Sequence, residues 1–266
     1  LVYMVVMNLK ENQPLKEFLM TLRHFPVALS LFVKFCKEQD LKTLENLYKI
    51  DDQFLNLGNL YLHDSCTKTT FDEKTACLKE SLRNFTQGNL LFPKQMVEEQ
   101  IKLLEKQKLL EELLRRPGLS GLSVSDTIFE CVNKGDYKEA EQLRKEFKVP
   151  DKRYYWLKLR ALAKAHEWIK LEEFSKSKKP PIGYEPFFEA CFEFDNIREA
   201  EKYISRVPLE ERMNCYIRVG NIEEAANVAF GQKNEEALNS LLGRCGTNRT
   251  LTSKIESMKA QLSQRK

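Results

Sequence analysis

Apolar residues recur at spacings of three and four along nearly the whole chain, the period of amphipathic helices rather than of strands. Glycine and proline are few and fall between these stretches as punctuation, not in strand-and-turn patterns. Pro14 opens a predicted helix over Leu15–Phe25, and Pro26 opens the next over Val27–Glu38, at the first-turn position that proline tolerates. Asp40–Tyr48 follows with Leu41, Leu44 and Tyr48 on one face, then Gln53–Leu62 with Leu57, Leu60 and Tyr61. Phe71–Phe85 begins with Asp72 and Glu73, where negative charge suits a helix N-terminus. Residues 86–92 read as a loop, and Pro93 starts the longest predicted helix, which ends near Arg116 before Pro117-Gly118. The apolar positions of that helix, Met96, Val97, Ile101, Leu104, Leu109 and Leu113 among them, cover more than one stripe and predict packing on two sides. Ser123 or Ser125 can then cap the following helix.

A short internal repeat organises the second half. Gly135-Asp136-Tyr137-Lys138-Glu139-Ala140 resembles His166-Glu167-Trp168-Ile169-Lys170-Leu171, Asp195-Asn196-Ile197-Arg198-Glu199-Ala200 and Gly220-Asn221-Ile222-Glu223-Glu224-Ala225. The third residue is apolar each time and the sixth is Ala or Leu. The sixth positions, 140, 171, 200 and 225, step by 31, 29 and 25 residues, the length of one helical hairpin. Such units bury their apolar faces on their neighbours, so the fold expected is all-α, an α-solenoid of stacked helical hairpins. Asn248–Lys266 reads as a terminal helix with Ile255, Met258 and Leu262 on one stripe, ending in a frayed tail.

The two ends add little chemistry. The chain opens on Leu1 rather than Met, which reads as a piece of a longer protein. Its apolar start, Leu1–Met7, stops at Asn8-Leu9-Lys10, short of the roughly 20 residues of a membrane span and without the leader of a signal peptide. A buried helix is the expectation there. No helix combines a basic face with an exposed aromatic one, so no membrane insertion is expected.

Charge narrows the function classes. Forty-three basic residues against 39 acidic ones give a net charge of +4 with the signs interspersed, a solvated helical surface rather than the stripe of a nucleic-acid binder. Lys176-Ser177-Lys178-Lys179 is the one tight basic cluster, and before Pro180-Pro181 it reads as a solvated loop. Seven widely spaced cysteines argue against a disulfide framework. Cys36, Cys131, Cys191 and Cys215 sit among apolar residues, as small buried hydrophobes do. His24, His63 and His166 belong to no ligand motif, and no metal or cofactor is expected. There is no phosphate-binding loop, nucleophile elbow or paired-histidine helix. Glu111-Glu112, Glu172-Glu173 and Glu223-Glu224 are adjacent pairs that diverge by about 100° around a helix, so they read as solvated faces, and no enzyme is expected.

Val149–Arg160 is more informative. Asp151 can cap the helix that begins there, and Trp156, Leu159 and Ala163 share a face that reads as core. Arg153, Arg160 and Lys164 form an opposite basic stripe with Leu157 and Tyr154 close by, and exposed Arg beside Tyr is the composition of an interface hot spot.

Val149-Pro150-Asp151-Lys152-Arg153 with Trp156-Leu157-Lys158-Leu159 resembles the family formed by the C-terminal portion of vacuolar protein sorting-associated protein 16. The likeness runs on through Leu171–Lys179 into Pro181-Ile182-Gly183-Tyr184, through Glu199–Tyr203, and upstream through Ala28–Leu31, Phe35-Cys36-Lys37 and Leu57-Gly58-Asn59, and is weakest over 64–95. The resemblance implies a subunit of the HOPS and CORVET tethering complexes, on the cytosolic face of endosomes, lysosomes or the vacuole, with a β-propeller ahead of residue 1. It implies that this solenoid binds the Sec1/Munc18-like subunit, vacuolar protein sorting-associated protein 33. On that reading 1–92 holds the N-terminal hairpins, 93–176 the partner-binding helices and 177–266 the C-terminal hairpins and tail. The partner surface falls on Met96 and Gln100 of the helix from Pro93, and on Arg153, Tyr154 and Leu157 of the helix from Asp151. The alternative is a coat- or clathrin-type solenoid that assembles by its own edges.

Overall fold

The computed structural model describes residues 1–177, 179–246 and 248–264, and among them it contains 17 α-helices and no strand. The chain forms an α-solenoid of two compact units, Leu1–Gly121 and Leu122–Lys266. Each helix of the first unit packs on the next in sequence; in the second most do, and several pack also on the helix two further along.

The first unit holds α1 (Val2–Asn12), α2 (Leu15–Leu22), α3 (Pro26–Gln39), α4 (Leu41–Ile50), α5 (Phe54–Thr67), α6 (Phe71–Gln87) and α7 (Leu91–Leu114). Phe18, Leu22, Phe32, Cys36, Leu44 and Leu57 form one core, with the Phe18 and Phe32 rings edge to face at 4.9 Å. Leu78, Phe85, Val97 and Leu104 form another. Helices α5 and α6 meet at Gly58, where the Phe85 ring occupies the space a Cβ would need and the Ser81 hydroxyl donates to the Gly58 carbonyl at 2.7 Å.

Four expectations change here. The loop at 86–92 shrinks to Gly88-Asn89-Leu90, because α6 runs on to Gln87 and α7 starts at Leu91, ahead of Pro93. The opening segment is helical but not buried: Val6 alone in Leu1–Met7 enters the core. Helix α7 buries one stripe, through Val97, Leu103, Leu104 and Leu110, and leaves Met96, Leu109 and Leu113 exposed. Glu111 is no solvated acid. Its carboxylate accepts the backbone N–H groups of Gly118, Leu119 and Ser120 at 2.7–2.9 Å and the Ser120 hydroxyl at 2.9 Å, tying the segment after α7 back onto that helix. Partial burial pushes its pKa up, but these hydrogen bonds, led by Ser120, outweigh that and hold the carboxyl below the usual range.

The second unit holds α8 (Val124–Asn133), α9 (Tyr137–Glu146), α10 (Asp151–Lys164), α11 (Trp168–Ser177), α12 (Glu185–Glu193), α13 (Ile197–Ile204), α14 (Leu209–Arg218), α15 (Ile222–Gly231), α16 (Glu235–Leu242) and α17 (Arg249–Gln264). Each copy of the sequence repeat is one inter-helix turn. Its first residue, Gly135, His166, Asp195 or Gly220, has a left-handed φ of 90°, 55°, 56° or 79°. Its second donates its N–H to the carbonyl five residues back, at 2.8–3.0 Å, which closes the preceding helix and places that residue at the start of the next. The third, Tyr137, Trp168, Ile197 or Ile222, is the first helical residue, and the sixth, Ala140, Leu171, Ala200 or Ala225, is fully buried. The same turn recurs at Lys233-Asn234, ahead of the buried Leu238, where no glycine or apolar third residue signals it.

The four cysteines expected inside are inside, and Cys245 joins them. Burial pushes the Cys191 thiol up to about 12 and those of Cys36 and Cys215 up to about 11. Lys178 of the basic cluster and residues 265–266 of the expected tail lie outside the described residues.

Candidate partner-binding surface

Helix α10 is amphipathic in a way that fixes which side chains can meet a partner. Its inner arc carries Tyr154, Leu159, Ala161, Leu162 and Ala163, all buried. Its outer arc carries Arg153, Trp156, Leu157, Arg160 and Lys164. These five, with Asp126 and Phe129 of α8 and Phe194 beside the turn after α12, line a groove of about 570 Å³ within the second unit. Phe129, Trp156, Leu157 and Phe194 give it an apolar floor. Three cations stand around it. The Lys164 ammonium lies 5.3 Å from the Phe129 ring centroid, and Arg160 approaches Glu193 at 3.6 Å with both side chains more than half exposed. Arg153 is exposed and has no ion pair or hydrogen bond among the described residues. Asp126, the one acid in the lining, accepts the Ser123 hydroxyl at 2.7 Å at the start of α8.

Two expectations for α10 are corrected by angle. Tyr154 follows Arg153 in sequence, but successive residues stand about 100° apart around a helix. That rotation takes Tyr154 into the core at 3% exposure, with the Arg144 guanidinium 4.8 Å from its ring centroid. Its phenol cannot meet a partner, and its pKa is raised by burial and by the Glu141 carboxylate. Trp156, expected in the core with Leu159 and Ala163, is 44% exposed. It sits about 40° from Arg160 and about 60° from Leu159 around the axis, a boundary position that periodicity alone could not assign. Asp151 is the first residue of α10, with no cap bond from its side chain, and pairs with Arg144 instead.

Met96 and Gln100 lie one turn apart on the exposed face of α7 in the first unit, and Met96 is 41% exposed. Phe92, one turn earlier on the same stripe, and Leu91 beside it are also exposed. Arg153 and Leu157 share the α10 groove. The sequence reading missed Phe129 and Phe194 because they come from outside α10, one from α8 and one from the turn after α12. Phe194, immediately before the left-handed Asp195 of a recognised turn, carried the one available signal.

No group of three or more His, Cys, Asp or Glu able to hold a metal occurs among the described residues, and no helix there is long and apolar enough to cross a membrane.

Residues 1–261 match the family model described as "Vps16, C-terminal region". The chain is similar to the vacuolar protein sorting-associated protein 16 homolog of Dictyostelium discoideum, 36% identical over 98% of this chain and 32% of that protein. It is similar to the homolog of the same name in Drosophila melanogaster, 32% identical over 96% of this chain and 30% of that protein. It is similar also to the protein VACUOLELESS1 of Arabidopsis thaliana, 35% identical over 86% of this chain and 28% of that protein. The chain thus spans about a third of the length of the curated relatives it matches.

Proposed function

The chain belongs to the family of Vps16 C-terminal regions, and on that premise we propose that it is a non-enzymatic adaptor of the HOPS and CORVET tethers. In this reading it works at endosome, lysosome or vacuole membranes as a peripheral component. It binds the Sec1/Munc18-like subunit, vacuolar protein sorting-associated protein 33, and recruits it for SNARE-mediated fusion. The segment 93–176 supplies the docking helices: the exposed stripe of α7 with Met96 and Gln100, and the groove of α10 with Arg153 and Leu157. Tyr154 serves from inside, as part of the core that stabilises α10.

The observation that carries the reading is Arg153, exposed and without an ion pair or hydrogen bond among the described residues, in the lining of a groove shared with Phe129, Trp156, Leu157 and Phe194. A charge left without an internal partner beside exposed aromatic surface is what an interface anchor requires. Holding the partner on a tether then raises its effective concentration where two membranes meet.

Light scattering coupled to size exclusion tests this, with the chain alone, mixed with the Sec1/Munc18-like protein, and with Arg153→Glu in parallel. A one-to-one complex that the substitution abolishes is expected, with unchanged circular dichroism, because the altered side chain is exposed. Self-association of the chain with no uptake of the partner would replace the adaptor by a self-assembling solenoid.

A further inference from the structure

The groove on α10 also constrains what it can receive. Its floor is apolar on both sides, from Phe129 on α8, through Trp156 and Leu157, to Phe194. Around it stand Arg153, Arg160 and Lys164 against Asp126 in the lining and Glu193 beyond it. Asp126 is engaged with Ser123, Arg160 pairs with Glu193 and Lys164 stands over the Phe129 face, whereas Arg153 has no ion pair, hydrogen bond or ring contact among the described residues. A guanidinium presents a planar fork that fits a carboxylate in bidentate fashion. Trp156 beside it offers a large rigid ring, already ordered on a helix, so little side-chain entropy is lost when it is covered.

We propose that this groove selects a partner segment in which an Asp or Glu is flanked by an aliphatic or aromatic side chain, the carboxylate on Arg153 and the apolar group between Trp156 and Phe194. The proposal rests on the reading that this chain docks another protein, and deepens it by naming the recognised chemistry. Trp156 becomes the apolar anchor and Arg153 the specificity determinant, because a partner lacking the carboxylate leaves the guanidinium covered and unpaired.

Trp156 supplies its own reporter. Trp168 is the other tryptophan in the chain, so Trp168→Phe leaves a single indole whose emission reports on the groove. That variant is titrated with the Sec1/Munc18-like protein and with short helical peptides carrying Glu beside Leu or Phe, each with a Lys-for-Glu control. The partner and the acidic peptides shift Trp156 emission, the Lys controls do not, and Arg153→Glu weakens both by at least about tenfold. In the unmodified background, Trp156→Ala weakens partner binding by a similar factor, read by calorimetry with folding checked by circular dichroism.

The outcomes separate the two claims. A partner that binds without moving Trp156 emission and tolerates both substitutions overturns the groove chemistry and leaves the adaptor reading standing. Acidic peptides that bind while the partner does not keep the groove chemistry and remove the proposed partner. Lys controls that bind as well as the acidic peptides, or an RNA oligomer or anionic vesicles that displace them, overturn the inference.

Discussion

Lys202 and Arg153 are both cations on the outer side of solenoid helices in the second unit, but their surroundings differ. Lys202 on α13 lies 2.7 Å from Glu172 of α11 and 2.7 Å from Glu199 on its own helix. Glu199 is only 5% exposed, and it also accepts the Tyr203 hydroxyl at 2.9 Å. Hydrogen bonds from Lys176 and Lys202 hold the Glu172 carboxyl down to about 2. Lys202, Glu172 and Glu199 are thus all answered within the unit. Arg153 is answered by nothing among the described residues, and exposed aromatic surface adjoins it. The same residue types therefore perform different work: a satisfied cluster ties one repeat to the next, while an unsatisfied one is free to meet another molecule.

Substitutions can break this contrast or sharpen it. The largest effect is expected from Tyr154→Ala, which empties a core position behind the groove and should cost about 3 kcal/mol of stability. Urea unfolding measures it, and partner binding should fall only as far as the folded fraction falls. Arg153→Glu, one residue away, should leave the same unfolding curve unmoved, so equal curves for the two variants would refute the division into inner and outer arcs. Lys202→Ala comes next. It leaves the buried Glu199 with one donor fewer and should cost about 1 kcal/mol, partner affinity staying constant. In the same variant an NMR titration should find the Glu172 carboxyl moved up from about 2, and a Glu172 that stays put would mean that Lys202 is not what holds it.

The smallest effect concerns the carboxylate of Glu111. Its folded pKa is lowered, so its hold on residues 118–120 is complete above the ordinary glutamate range and is lost as pH falls through the lowered value. Amide hydrogen exchange at Leu119 and Ser120 should accelerate across that acid window, and in Glu111→Gln the acceleration should be present at neutral pH already. Equal protection in the two proteins at neutral pH would show that the loop holds itself.

Much of the helical plan was readable in advance because it is local. Pro26 and Asp40 mark helix starts through dihedral preference and through the Asp40 carboxylate accepting the Thr43 N–H at 3.1 Å. The repeat was legible because Gly135 and Gly220 suit a left-handed turn, and because Ala or Leu is what a closely packed second helix can bury. The turn at Lys233 obeys the same geometry with a residue that does not advertise it. The groove was half legible. The stripe of Arg153, Arg160 and Lys164 follows from spacing, whereas Phe129 and Phe194 reach it from sequence positions that no periodicity links to α10.

The sequence by itself determined the all-α class, the family and many of the helix starts and turns, since each rests on near-neighbour chemistry or on strings of matching residues. The tertiary structure alone decided which way the ambiguous side chains face. Tyr154 turned inward and Trp156 outward because burial is settled by the neighbouring helices that cover a position, and Glu111 became a clasp because the chain beyond α7 folds back to it. Those are properties of packing partners distant in sequence, which a helical period cannot encode.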